Sequence, residues 1–172
     1  VLSIQVMGDY HDHPAYISAA AESVRRFWTQ SQKPEKLVLS FHGIPKEYVE
    51  KGDPYEAQCQ RTAALIAEAL SLEKDSWLAT FQSRLGRGEW LKPYTDEVLV
   101  KLGSEKLTSL DVLSPGFAVD CLETVDEIAH EGRKDFQNAG GGDFRYIPAL
   151  NASTLQVEAL SEIIFSSWGK NV

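Results

Sequence analysis

Cysteine is scarce in this chain: 172 residues contain only Cys59 and Cys121. They lie far apart and form no Cys-x-x-Cys pair, so neither a zinc ribbon nor an iron–sulfur site built from this chain alone is supported. The expectation is two reduced thiols on or under helices. Basic residues are also short, with 17 Lys and Arg against 25 Asp and Glu, a net charge of −8 and a pI near 5.0. A duplex-binding surface needs clustered cations to displace counterions from phosphates, so nucleic acid is not an expected partner. No run approaches the roughly 18 apolar residues of a membrane span, and Val1-Leu-Ser-Ile-Gln-Val-Met7 lacks the basic flank and cleavage site of a secretory leader. A cytoplasmic location is expected. An initiator methionine is missing as well, and the chain opens directly on strand-like residues, which reads as a piece of a longer protein.

What is present is apolar content of 43%, enough for one sizeable core and too little chain for two full domains. Residues 1–6 alternate and suit a strand. After the loop Gly8–Pro14, with Asp12 or His13 at the start of a helix, Ile17, Ala20, Val24, Phe27 and Trp28 recur at helical spacing. Lys36–Phe41 is an apolar run of strand length, covered on both sides. Residues 46–54 read as polar and turn-rich, and a helix over about 55–70 offers Thr62, Leu65, Ile66 and Ala69 inward. Ser76–Gln82 reads as a strand, 83–94 as a long loop, and Thr95 as the cap of a short helix with Asp96 and Glu97 in its first turn. Leu107–Leu113 is a further strand, 117–136 contains an acidic helix, Gly140-Gly-Gly142 is a flexible connection, Phe144–Ile147 is a short strand, and 154–168 a closing helix. Such alternation predicts a single α/β domain over 1–172, with an open, mostly parallel sheet of four to five strands between helices. Ligands of such sheets bind beyond the carboxyl ends of the strands.

Two features sit at those ends. His42 follows the strand in Leu39-Ser-Phe-His-Gly-Ile-Pro45, and a neutral imidazole there is able to accept a proton or bind a metal; a histidine merely hydrogen-bonded at a strand end is the competing reading. Glu123, Glu127 and Glu131 are spaced four apart, which on an α-helix makes a row, with Asp120 extending it at the start. Like charges so placed repel by a few tenths of a kcal/mol each. The row is therefore either a solvated face or a path of oxygen ligands that passes a hydrated divalent cation toward His42. Trp90 and Phe117 are flat aromatics beside the crevice, able to stack on a planar ligand or to pack within the domain, and Arg84 and Arg87 could meet ligand carboxylates or stay solvated. His11-Asp-His13 is a weak metal signal. Asn151-Ala-Ser153 matches a glycosylation acceptor by chance.

Taken together, Ser40-Phe-His-Gly-Ile-Pro45 with Gly52-Asp-Pro-Tyr55, Gln82-Ser-Arg-Leu-Gly86 with Trp90-Leu91 and Thr95-Asp-Glu97, Pro115-Gly-Phe-Ala-Val-Asp-Cys-Leu-Glu-Thr124, and Leu150-Asn-Ala-Ser153 resemble the carboxyl-terminal half of a ferrochelatase. The resemblance covers nearly the whole chain, and four motifs in the right order are specific. It implies a Rossmann-like three-layer lobe, the second of two, and insertion of ferrous iron into protoporphyrin IX with release of two protons, the last step of haem biosynthesis. It implies that His42 and Glu123 are catalytic, that His42, Glu123, Glu127 and Glu131 meet the metal, and that Trp90 and Phe117 meet the porphyrin; Arg84, Asp120 and Cys121 are lesser candidates. The implied partners are protoporphyrin IX, ferrous iron as substrate and an amino-terminal lobe, with room for peripheral membrane contact. No cofactor is expected to be held permanently, since the cysteine ligands of the iron–sulfur cluster found in some members are absent. One departure stands out: Cys121 occupies a position where some members carry histidine. A chelatase for another tetrapyrrole or metal, and a non-catalytic tetrapyrrole- or metal-binding α/β module, remain as alternatives.

Overall fold

In the computed structural model, residue 4, residues 6–86 and residues 88–168 are described. The expected first strand lies largely outside the described residues; Ile4 and Val6, within them, are exposed and belong to no strand. The other four strands are present and form one parallel sheet. They are β1 (Lys36–His42), β2 (Trp77–Gln82), β3 (Ser109–Leu113) and β4 (Asp143–Ile147), in the order β2-β1-β3-β4. The register sets Leu39 beside both Ala79 and Leu113, Leu113 beside Ile147, and His42 beside Gln82.

Strand side chains alternate between faces, and here each face is covered. On one side Leu37, Leu39, Phe41, Ala79, Phe81, Leu113 and Ile147 meet α1 (Pro14–Thr29), α3 (Tyr55–Ala69) and α7 (Thr154–Trp168) through Val24, Ala63, Ile66 and Ile163. On the other side Val38, Leu110, Val112 and Phe144 meet Leu99 and Leu102 of α4 (Thr95–Ser104), together with Ile128 and Phe136. Ile128 and Phe136 belong to a helical stretch in three parts: α5 (Leu122–Thr124), a π-helix over Val125–Gly132, and α6 (Arg133–Asn138). The three-layer αβα arrangement is the expected one.

Several local expectations are corrected. Residues 46–54 are not all turn, because α2 (Lys46–Glu50) forms there, carrying the i,i+4 pairs Lys46–Glu50 and Lys51–Glu47. Thr95 does not cap α4. Tyr94 holds that position, and the buried Thr95 hydroxyl lies 2.9 Å from Ser40 Oγ and 2.8 Å from Thr80 Oγ1. Gly140–Gly142 is not a flexible connection: a Cβ on Gly141 would stand 2.4 Å from the Phe136 ring, and one on Gly142 would stand 2.2 Å from the Thr108 carbonyl. Glycine is needed there so that α6 can turn closely back into β4. His13 caps α1 by accepting from Ala15 N–H at 3.2 Å, and His11 pairs with Asp9 at 2.6 Å, so both are occupied locally.

Candidate active site

The carboxyl ends of β1 and β2 and the start of the three-part helix enclose a crevice of about 580 Å³. It brings together His42, Gln82, Ser83, Glu123, Glu127 and Glu131. β1 delivers His42. Its Nδ1 lies 2.7 Å from the Gly43 carbonyl, which only accepts, so Nδ1 carries the proton and donates. That tautomer leaves Nε2 with a free lone pair, and no hydrogen bond engages it among the described residues. The turn after His42 is held tightly: Gly43 N–H donates to the Gln82 carbonyl at 2.7 Å, and Tyr55 OH donates to the His42 carbonyl at 2.9 Å. A Cβ on Gly43 would come 2.9 Å from the Gln82 oxygen and 3.3 Å from the Trp90 ring, so glycine is required for this approach.

Glu123 sits in α5, just beyond the Cys121 N-cap. Its carboxyl is held below the ordinary carboxylate range, first by a hydrogen bond from the Cys121 thiol, then by its own backbone N–H, with His42 adding attraction when its imidazole carries a second proton. Burial, reinforced by this bond to Glu123, pushes the Cys121 thiol up, which keeps it protonated and donating. Position 121 therefore supplies a donor that favours the ionised glutamate.

The π-helix changes how the glutamate row is built. Its turns close on the fifth residue along and take more than four residues each, so positions four apart stay side by side but drift the opposite way from an α-helix. Glu127 is not simply solvated: Ser83 N–H donates to one of its oxygens at 2.7 Å and Ser83 Oγ to the other at 2.5 Å. Ser83 adopts φ +63°, a left-handed conformation costing a non-glycine residue roughly 1–2 kcal/mol, which this two-point grip helps to offset. Glu131 is exposed at the outer end. At the same end of the segment the neighbouring Gly132 is buried against α4, where a Cβ would meet Leu99 Cδ1 at 2.8 Å. Among the described residues no three His, Cys, Asp or Glu side chains already converge in ligand geometry, so the row is a series of separate carboxylates.

The remaining candidates divide. The Phe117 ring lies 6.2 Å from the His42 ring, at the rim of a second cavity of about 330 Å³. Trp90 is half-buried, bridged to Pro45 and laid over Gly43, so it braces the histidine turn. Arg84 is spent on α4: it pairs with Asp96 and with Glu97 at 3.1 Å, and stacks over the Tyr94 ring at 4.1 Å. Asp120 does not extend the row. It precedes the helix and accepts from Tyr146 OH at 2.7 Å, Asn151 Nδ2 at 2.8 Å, Thr124 Oγ1 at 3.1 Å and Ala149 N–H at 3.2 Å. Burial pushes its carboxyl up, and these donors outweigh that and hold it low. Arg87 lies outside the described residues. Sequence reasoning missed the roles of Gln82 and Ser83 and the apolar exposure around Glu123, where Val119, Leu122 and Val125 are 57%, 77% and 42% exposed. A lone amide and hydroxyl closing an apolar strand was the available signal for the first two.

A family model for ferrochelatase matches residues 1–167. Curated ferrochelatases similar to the chain include those of Thioalkalivibrio sulfidiphilus, 51% identical over 95% of this chain and 44% of its own length, Methylobacillus flagellatus, 52% over 93% and 46%, and Methylococcus capsulatus, 52% over 92% and 49%. The chain thus spans about half the length of the curated relatives it matches. With that match running through the histidine turn and the glutamate helix alike, the chain belongs to the ferrochelatase family.

Proposed function

We propose that this chain supplies the metal-side catalytic half of a cytoplasmic ferrochelatase, in which ferrous iron enters protoporphyrin IX and two pyrrole protons leave. The observation that carries the reading is a free His42 Nε2 lone pair and an ionised Glu123 opening into one crevice. Iron replaces two N–H protons in the ring, so the site must take up two protons and tolerate a dication on the way. His42 Nε2 accepts the two pyrrole protons in turn, releasing the first to water at the open end of the crevice before taking the second, while Nδ1 keeps its bond to Gly43. Glu123, held as carboxylate, meets the incoming cation and balances its charge, and oxygen donors of this kind suit a hydrated ferrous ion. Glu131 and Glu127 lead to it from the exposed end of the crevice. The exposed Val119, Leu122 and Val125 offer an apolar rim for a flat, largely apolar ring. The metal is substrate on this reading, and no resident cofactor takes part.

Titration of the protein with protoporphyrin IX and ferrous iron under reducing, anaerobic conditions tests the reading by visible absorption. A haem spectrum is expected. A shifted free-base spectrum without metal insertion would reduce the chain to a porphyrin-binding module, and no change would overturn the assignment.

A further inference from the structure

Gln82 is 4% exposed, and it is the residue at which the histidine turn and the glutamate helix are joined. Its backbone carbonyl accepts from Gly43 N–H at 2.7 Å, fixing the residue after His42. Its side-chain Nε2 donates to the Glu123 backbone carbonyl at 2.5 Å. Because that carbonyl only accepts, the amide orientation is settled: Oε1 faces the other way, where Ser40 Oγ at 2.8 Å and Ser114 Oγ at 3.3 Å donate to it. Those hydroxyls come from β1 and from the residue after β3, so one amide gathers the ends of three neighbouring strands and the first turn of the helix. Buried side-chain networks of this kind are rigid when every member is satisfied, and no buried side-chain polar atom among the described residues lacks a partner.

We propose that Gln82 is a positioning residue for iron insertion: it holds the Glu123 turn at a fixed distance from the His42 turn through its amide N–H, without touching either substrate. This rests on the ferrochelatase reading for its consequence, though not for the anchoring itself. The helix beyond Glu123 passes at once into wider π turns, and the amide fastens that helix to the sheet just before the change. Misplacement of a reacting group by about 1 Å costs on the order of 100-fold in rate, so loss of the anchor should be read in turnover rather than in porphyrin affinity.

The decisive variant is Gln82→Glu. It keeps the size and the acceptor for Ser40 and Ser114 but, when ionised, sets an oxygen against the Glu123 carbonyl; when protonated, it restores a donor. Insertion by Gln82→Glu should fall at least about 10-fold in kcat at alkaline pH with KM for porphyrin nearly unchanged, and the deficit against the parent protein should narrow as pH falls. Gln82→Leu should lose rate at all pH values without that recovery. Independently of activity, deuterium exchange over residues 121–132 should quicken in Gln82→Leu while residues 14–29, on the other face of the sheet, are unaffected. Parent-like kcat, pH profile and exchange in both variants would overturn the proposal. If the parent protein inserts no iron, the function reading fails alone, and the exchange experiment still decides the anchor: quickened exchange supports it and unchanged exchange overturns it. If Gln82→Leu does not fold, the pH-dependent deficit of Gln82→Glu supports the proposal and its absence overturns it.

Discussion

Asp120 and Glu123 are three residues apart and are both acids, yet they meet different surroundings. The Asp120 carboxylate receives four donors, from Tyr146, Asn151, Thr124 and Ala149 N–H, and so ties the loop before α5 to the end of β4. Glu123 is held by the Cys121 thiol and its own N–H, and its carboxylate opens into the crevice with His42. A carboxylate whose lone pairs are filled by the protein holds the fold, whereas one left with spare lone pairs beside a base is available for a cation. Asp111, on β3, is the extreme of the first kind: fully buried, it accepts from Arg145 Nε at 2.7 Å and Nη2 at 2.9 Å and from Trp28 Nε1 at 2.7 Å.

Exchanging the two neighbours should separate activity from stability. Glu123→Gln should cost about 10²–10⁴-fold in insertion rate while the urea midpoint barely moves, because the side chain supports little of the fold. Its acid limb in the parent protein should lie below the ordinary carboxylate range, since the folded state holds this group low. Asp111→Ala should act only on stability, lowering it by about 3 kcal/mol or more, since Arg145 and Trp28 are left without their partner. Asp120→Asn should cost about 2 kcal/mol. The sign of its pH dependence follows from a folded-state pKa below the unfolded one: the contribution is full above the unfolded value and is lost as pH falls through the folded value. Stability of Asp120→Asn should therefore fall less steeply in acid than that of the parent. If Asp120→Asn abolished insertion in a fully stable protein while Glu123→Gln unfolded it, the comparison would be inverted. The smallest effect belongs to Glu131→Gln at the exposed end, about 2- to 3-fold in the iron dependence and fading as salt is raised.

Most of the frame was legible because it depends on local periodicity. Strand-length runs at 36–41 and 107–113 and the 3.6-residue spacing in α1 and α3 each mark their own element without reference to the rest of the chain. His42 and Glu123 were legible as candidates through motif resemblance, His42 also through its place at the end of a strand, and the structure sets both at one crevice. The π-helix was not, since four-residue spacing of glutamates fits either kind of turn. Neither was the separation of Asp120 from the row, which depends on Tyr146 and Asn151 returning from beyond β4. Gln82 depended on register: only when β1 and β2 pair His42 with Gln82 does that amide come between the two catalytic candidates. The tightness of Gly140–Gly142 likewise required the Phe136 ring to be in place.

The central claim is that His42, through its free Nε2, is the base of the reaction. His42→Ala in the protein expressed from its full reading frame, followed by visible absorption with protoporphyrin IX and ferrous iron, tests it most directly. The account predicts a folded protein that binds porphyrin and leaves it as the free base; haem formation at the parent rate would contradict it.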